Sequence, residues 1–313
     1  MKTIIKNWFF WLNGLSWAQK LFPLLLSLSY YCIWSHQNQF HHDQKILIVI
    51  IMTLAYSGQR VRGIFNFLLP FILTAIVYDS QRFYSNFLRG AIRVKEPYFF
   101  DLKFFGIDAN GSILTPNEWF QLHTHPLLDL WTGFAYLFFI LIFILIAAYF
   151  VYWVHRSSRI SWAFFWLNVI GYTTYYWYPA APPWYVALYG LGPAKLDVSS
   201  NPAGCARFDQ ILGTSFFSEM YGRSADVFGA IPSLHVAYPL LAIYFAFQYK
   251  KGRLFSIFFY ISMCFSAVYL NHHYVLDVLL GSLYAIVIGA IIFHLPSRLP
   301  FKITKKRLFL MFF

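Results

Sequence analysis

Residues 131–153 read WTGFAYLFFILIFILIAAYFVYW, twenty-three residues without a charge. A hydrocarbon core about 30 Å thick is crossed by about 20 apolar residues in a helix, and lipid forces every backbone N–H and C=O in such a run to find its partner inside the segment. The run therefore predicts a membrane-spanning helix. Working outward, apolar segments recur at 21–35, 46–57 and 64–78 before it and at 161–178, 233–249, 254–270 and 274–294 after it, most of them bounded by charge, Gly or Pro. Of the 313 residues, 59% are hydrophobic, 22% aromatic and only 12% charged, with mean hydropathy +0.54. Soluble domains run at about 25% charged, so an ordinary soluble domain is excluded, and so are disorder and a disulfide scaffold. The chain reads as an all-α polytopic membrane protein of about eight transmembrane helices. Segments 46–57 and 64–78 are short, so each is either re-entrant or extends through its polar flanks. The opening Lys2 to Gly14, with its Trp and Phe run, reads as an interfacial helix rather than a signal peptide.

The formal charge of +12 would suggest nucleic acid in a soluble protein, but here its placement gives it another meaning. Lys2, Lys6 and Lys20, Arg60 and Arg62, Arg156 and Arg159, Lys250, Lys251 and Arg253, and the run from Arg298 to Arg307 fall in alternate connections. The carboxylates from Asp43 to Asp277 fall in or beside the others. The positive-inside rule then puts both termini in the cytoplasm and the long loops 79–130 and 179–232 in the periplasm or lumen. The basic tail reads as a solubilising, lipid-headgroup-attracting segment, and no nucleic-acid partner is expected. The organisation follows: 1–63 as an interfacial segment with accessory helices, 64–294 as the membrane core with its two external loops, and 295–313 as the tail. Cys32 and Cys264 lie in apolar segments and only Cys205 in a loop, which gives neither a disulfide framework nor paired zinc ligands.

Two stretches carry polar groups that a membrane helix does not hold cheaply: Phe228-Gly-Ala-Ile-Pro-Ser-Leu-His235 and Tyr269-Leu-Asn-His-His-Tyr-Val-Leu-Asp277. Both lie at external helix ends, so His235 and His273 can share one site. His273 and Asp277 are four apart, which on a helix places them on one face, where a carboxylate fixes the imidazole tautomer and raises its basicity. That suits a nucleophilic histidine. Pro232 and Ser233 open a long helix whose free N–H groups favour a phosphate, with Ser233 as a further donor or simply a cap. His235, one turn inside, is placed to protonate a leaving oxygen. His272 reads as an interfacial or hydrogen-bonded residue. Two histidines, a carboxylate and a helix start form a phosphoryl-transfer site with no metal and no cofactor.

These motifs resemble a known family. Pro232-Ser233-Leu234-His235, Ser266 and His273-x-x-x-Asp277 look like the second and third signatures of the type 2 phosphatidic acid phosphatase superfamily. The closer resemblance is to the fungal inositol phosphorylceramide synthases. It is carried by Tyr178-Pro-Ala-Ala-Pro-Pro-Trp184-Tyr185, Gly190-Leu-x-Pro-Ala194, Ala206-Arg207-x-Asp209-x-x-Leu-Gly213, the Phe228–His235 stretch and Tyr269-Leu-x-His-His-Tyr274. The resemblance covers roughly 165–290 and implies a six-helix core, with His273 as the nucleophile forming a phosphohistidine, Asp277 as its orienting partner and His235 as general acid and then base. It implies that phosphatidylinositol and ceramide are the lipid substrates.

The chain also departs from the superfamily. The first motif, Lys followed by Arg-Pro, is absent from its expected place, Leu234 stands for the motif Gly, and Ala267 stands for the Arg after Ser266. Other cations must then meet the phosphate, and Arg207, which fits the synthase pattern, comes first, followed by Lys195 and Arg223 in the same loop. Trp184 and Tyr185, on a rigid proline-rich segment, are expected in a lid, a lipid-contacting rim or an ordinary aromatic belt at headgroup depth. Loop 79–130 covers the site, binds anionic headgroups or forms an external amphipathic platform with no catalytic role. Two rivals remain at this stage: a lipid phosphate or pyrophosphate phosphatase of the same superfamily, and a non-enzymatic lipid transporter, although a transporter would show repeat symmetry and midplane polar groups.

Overall fold

The computed structural model describes residues 2–36, 40, 42–155, 157–222 and 226–295. Each of the eight apolar segments lies in a helix, five of them overrunning it by one residue at one end. The chain begins with α1 (Lys2–Asn13), α2 (Trp17–His36), α3 (His42–Tyr56) and α4 (Gln59–Leu88). Segment 64–78 thus extends through its polar flanks: α4 has 30 residues and is about 45 Å long at 1.5 Å per residue. With 15 residues, α3 is only about 22 Å long, short of a full hydrocarbon core. Among the described residues, Gln59–Phe83, Pro126–Val154 and Val275–His294 have the length and apolarity to cross a membrane.

The chain divides into two compact units, one running to Ile76 and one beginning at Val77. In the first, Ile51, Ala55, Phe65 and Ile72 form a buried cluster, and the Trp8 indole donates to the Tyr56 carbonyl at 2.7 Å, tying α1 to α3.

In the second unit the stretch after α4 folds into α5 (Lys95–Phe105), a hairpin of β1 (Ile107–Ala109) and β2 (Ser112–Leu114), and α6 (Pro116–Leu122). The hairpin turns at Asn110 and Gly111, both with positive φ, the backbone that a tight two-residue turn demands. Thr115 starts α6 with a capping box closed by Glu118 and with Pro116 at the first helical position. The charge-free run becomes α7 (Pro126–Tyr149), extended by a π-turn over Phe150–Val154, and α8 (Arg159–Trp177) follows. The stretch after α8 forms three short helices, α9 (Pro183–Tyr189), α10 (Cys205–Leu212) and α11 (Phe216–Gly222), followed by α12 (Leu234–Tyr249), α13 (Arg253–Tyr269) and α14 (Val275–His294).

At the centre lies α12, packed against α7, α8, α13 and α14. Its Ala237, Ala242 and Ala246 are buried, and small residues of this kind let helices approach closely where lipid supplies no hydrophobic drive. Apolar side chains such as Leu141 and Leu145 on α7 and Leu279, Leu283 and Ile291 on α14 stay exposed, as lipid-facing surfaces do.

Candidate active site

The turn between α13 and α14 carries His273. Asn271 takes a left-handed backbone (φ 63°), and the N–H groups of His272 and His273 both return to the Ala267 carbonyl, at 3.2 and 3.0 Å. Tyr274 is the N-cap of α14, and its N–H donates to Asp277 Oδ2 at 2.9 Å. The i,i+4 spacing predicts His273 and Asp277 on one helical face. The structure instead sets His273 just before the helix cap, and the cap is what folds Asp277 back towards it. His273 Nδ1 lies 3.3 Å from Asp277 Oδ2 and 3.1 Å from the Ala230 carbonyl.

A carbonyl only accepts, so His273 carries its proton on Nδ1 and leaves Nε2 as a lone pair. Nε2 lies 3.1 Å from Nδ1 of His235, which must then be the donor. His235 is the second residue of α12, in its first turn rather than one turn inside. Burial pushes the His273 imidazolium down to about 4, against the raising effect of its bond to Ala230. The ring is therefore neutral at pH 7, and burial outweighs the gain in basicity expected from Asp277.

Ser233 caps α12 by position but not through its side chain. Its N–H donates to the Asp277 carbonyl at 3.0 Å, while Oγ is buried without a partner. The cap reading thus fails for the hydroxyl, which is left available as a donor.

Two further residues hold the histidine turn. Asn117 Nδ2 donates to the carbonyls of Val268 and His273, at 2.9 and 3.0 Å. Asp101, fully buried on α5, accepts from the N–H groups of Val275 and Leu276 at 2.6 and 3.0 Å, satisfying the free start of α14. Burial raises its carboxyl to about 7 even though those two bonds oppose the shift. Loop 79–130 is therefore a buttress of the site. No local pattern announces either residue, since their partners lie more than 150 positions away; a buried Asp or Asn inside a short helix is the only trace.

The expected substrate-binding residues separate. Arg207 is engaged with Asp129 (2.6 Å) and Gln121 (2.9 Å) and lies over the Tyr269 ring, so its charge is already balanced by a carboxylate. Lys195 sits in the stretch between α9 and α10, over the Tyr189 ring, 5.3 Å from its centre. Arg223 lies outside the described residues. Trp184 and Tyr185 correct the expectation of a rim at headgroup depth: both are buried with Val94, Ala181 and Phe228. The backbone N–H of Trp184 donates to the Asn271 carbonyl at 3.1 Å, and the Tyr185 hydroxyl accepts from the backbone N–H of Lys195 at 2.7 Å. The proline-rich segment folds these rings inward because Ala180 bridges Arg93 on one side and Gly229 on the other. His272 is hydrogen-bonded, with Nε2 3.1 Å from the Pro202 carbonyl and 3.5 Å from Cys205 Sγ.

In comparison with known proteins, residues 110–291 fit the family model of the PAP2 superfamily. The chain belongs to the PAP2 superfamily. It is 35% identical over 245 residues to the phosphoinositol dihydroceramide synthase of Bacteroides thetaiotaomicron, an alignment covering 76% of this chain and 80% of that one. It is 29% identical over 261 residues to the inositol phosphorylceramide synthase catalytic subunit of Schizosaccharomyces pombe, covering 82% of this chain and 60% of the relative. With the corresponding Saccharomyces cerevisiae subunit it shares 37% identity over 123 residues, 39% of this chain and 31% of that one. No solved structure matches. This PAP2 superfamily member is therefore an enzyme similar to the inositol phosphorylceramide synthases.

Proposed function

We propose that the protein moves inositol phosphate from phosphatidylinositol to a ceramide by way of a phosphohistidine on His273. The observation that carries this reading is the lone pair on His273 Nε2 facing the N–H of His235 at 3.1 Å, a nucleophile and an acid in one contact. In the first step Nε2 attacks phosphorus, the bond from phosphorus to the diacylglycerol oxygen breaks with its electron pair, and His235 gives that oxygen its proton. In the second, a ceramide hydroxyl attacks phosphorus and passes its proton to His235, and the P–N bond returns its electrons to His273. The Nδ1 proton stays on His273 throughout, held by Ala230 and Asp277, which stabilise the positive charge the ring acquires when phosphorylated. Transfer over hydrolysis is supported by Leu234, an apolar side chain beside His235 where the superfamily motif has Gly, and by the apolar packing of the neighbouring Trp184–Tyr185 segment, since a drier pocket spares a reactive intermediate from water.

With purified protein, phosphatidylinositol and ceramide, diacylglycerol and inositol phosphorylceramide should appear in equal amounts, and omitting ceramide should slow diacylglycerol release sharply. Equal rates without ceramide would mean a hydrolase, and dephosphorylation of phosphatidate with phosphatidylinositol untouched would identify a lipid phosphatase. We further place the site on the periplasmic or lumenal side, with the termini cytoplasmic, on the strength of the alternating charge. An impermeant maleimide should label a cysteine at Ser199 and spare one at Ser157 in sealed vesicles of native orientation; the reverse pattern would refute the topology.

A further inference from the structure

Near the two histidines, α7 contributes a residue that the catalytic scheme does not use. Tyr136 is 1% exposed, and its hydroxyl is buried without a hydrogen-bond partner. Its ring lies almost parallel to His235, with centres 4.6 Å apart and planes at 13°. It also stacks on His272 at 5.4 Å, and His272 stacks in turn with Tyr221 at 4.7 Å. The column fixes the plane of the His235 ring, a task for which a phenyl ring would suffice. The hydroxyl adds nothing to stacking and is costly to bury unpaired. Ser233 Oγ, fully buried at the start of α12, is likewise unpaired. Two hydroxyl donors without partners thus flank His235, one on the helix that carries it and one on the ring stacked against it.

Charge in phosphoryl transfer develops on the non-bridging oxygens, and donors fixed in a dry site are worth most there. We propose that the Tyr136 hydroxyl joins Ser233 Oγ, the donor already expected at the start of α12, in hydrogen-bonding to a non-bridging phosphoryl oxygen as the group passes onto and off His273. Neither hydroxyl loses its proton; both act only as donors. Neutral donors of this kind match a phosphodiester, which carries a single negative charge, better than a monoester dianion. The inference rests on the phosphoryl-transfer reading of the site but not on the identity of the acceptor.

The test uses the full chain in lipid-containing micelles with Tyr136→Phe, which keeps the stacked ring. The expected result is a kcat lower by about 10²–10³-fold, the loss typical of removing one oxyanion donor. KM should stay within about threefold, since an interaction made in the transition state weighs on kcat. The thermal midpoint should stay equal or rise, because an unpaired buried hydroxyl is removed. Orthovanadate, a mimic of the phosphoryl transition state, should raise the thermal midpoint of the wild type and bind at least about tenfold more weakly to the variant. Unchanged kcat together with unchanged vanadate affinity would reduce Tyr136 to a packing ring, and a lowered midpoint would give its hydroxyl a structural partner instead; either overturns the proposal. If the wild type hydrolyses its lipid phosphate rather than passing it to ceramide, the transfer reading fails, while the same kcat comparison and the vanadate arm still decide the role of Tyr136.

Discussion

His273→Ala is expected to abolish transfer, a loss on the order of 10⁴–10⁶ in kcat, with the protein still folded. The substitution removes the atom that would bond phosphorus, and groups acting as one unit lose nearly everything when any member goes. His235→Ala should be comparably damaging because the diacylglycerol oxygen would leave unprotonated. The double variant should be little worse than either single one. Asp277→Asn probes a different link. Asp277 Oδ2 faces both the Tyr274 N–H and His273 Nδ1, so an amide oxygen in its place still accepts from both, but a neutral amide stabilises the positively charged phosphorylated ring less than a carboxylate does. A loss of roughly 10²–10⁴ follows by analogy with other carboxylate-oriented histidines. Activity is read as inositol phosphorylceramide formed per minute, and folding by thermal midpoint and elution profile. Near-normal turnover in His273→Ala would remove the nucleophile from the scheme.

The second large effect is expected at a residue with no side chain to take part in the reaction. Gly281 lies one turn beyond Asp277 on α14, and a Cβ there would stand 2.2 Å from the Ser233 carbonyl oxygen and 3.0 Å from its carbonyl carbon. Those are backbone atoms at the cap of α12, so no rotamer change relieves the clash. Gly281→Ala must push α12 and α14 apart at the point where the Ser233 N–H meets the Asp277 carbonyl. Overpacking of this kind typically costs about 1–3 kcal/mol of stability. The consequence for rate is larger: His235 and His273 ride on the two separated elements, and a misplacement of about 1 Å is worth roughly 10²-fold. Gly289→Ala, two turns further on, meets only the Tyr244 side chain at 3.1 Å and the Leu241 side chain at 3.2 Å, and should cost far less activity. Equal activity in the two glycine variants would contradict the close contact at the site.

Hydropathy and charge made the helices and the pair of histidine stretches legible, because both signals are local: an apolar run needs no partner to be recognised, and a His beside Pro-Ser at a helix start stands out in a membrane segment. The geometry within the site was less accessible. His273 and Asp277 do meet, as the spacing suggests, but through the capping of α14 by Tyr274 rather than along a helical face. Ala230 supplies the nearer partner of Nδ1 through its backbone, which no side-chain pattern reveals. Asp101 and Asn117 act across more than 150 residues, and Trp184 and Tyr185 resemble interfacial aromatics in composition while the pairing of Arg93, Ala180 and Gly229 turns their segment inward. The ion pair of Arg207 with Asp129 was equally out of reach, the two being 78 positions apart.

The most direct test of the account is a single turnover with phosphatidylinositol labelled in its phosphate, supplied without ceramide and quenched in base, where a phosphoramidate on histidine survives and an acyl phosphate does not. The account predicts label on a peptide containing His273, diacylglycerol released in equal amount, and discharge of the label into inositol phosphorylceramide when ceramide is added before the quench. Product formed at full rate with no label on the protein at any time would contradict it.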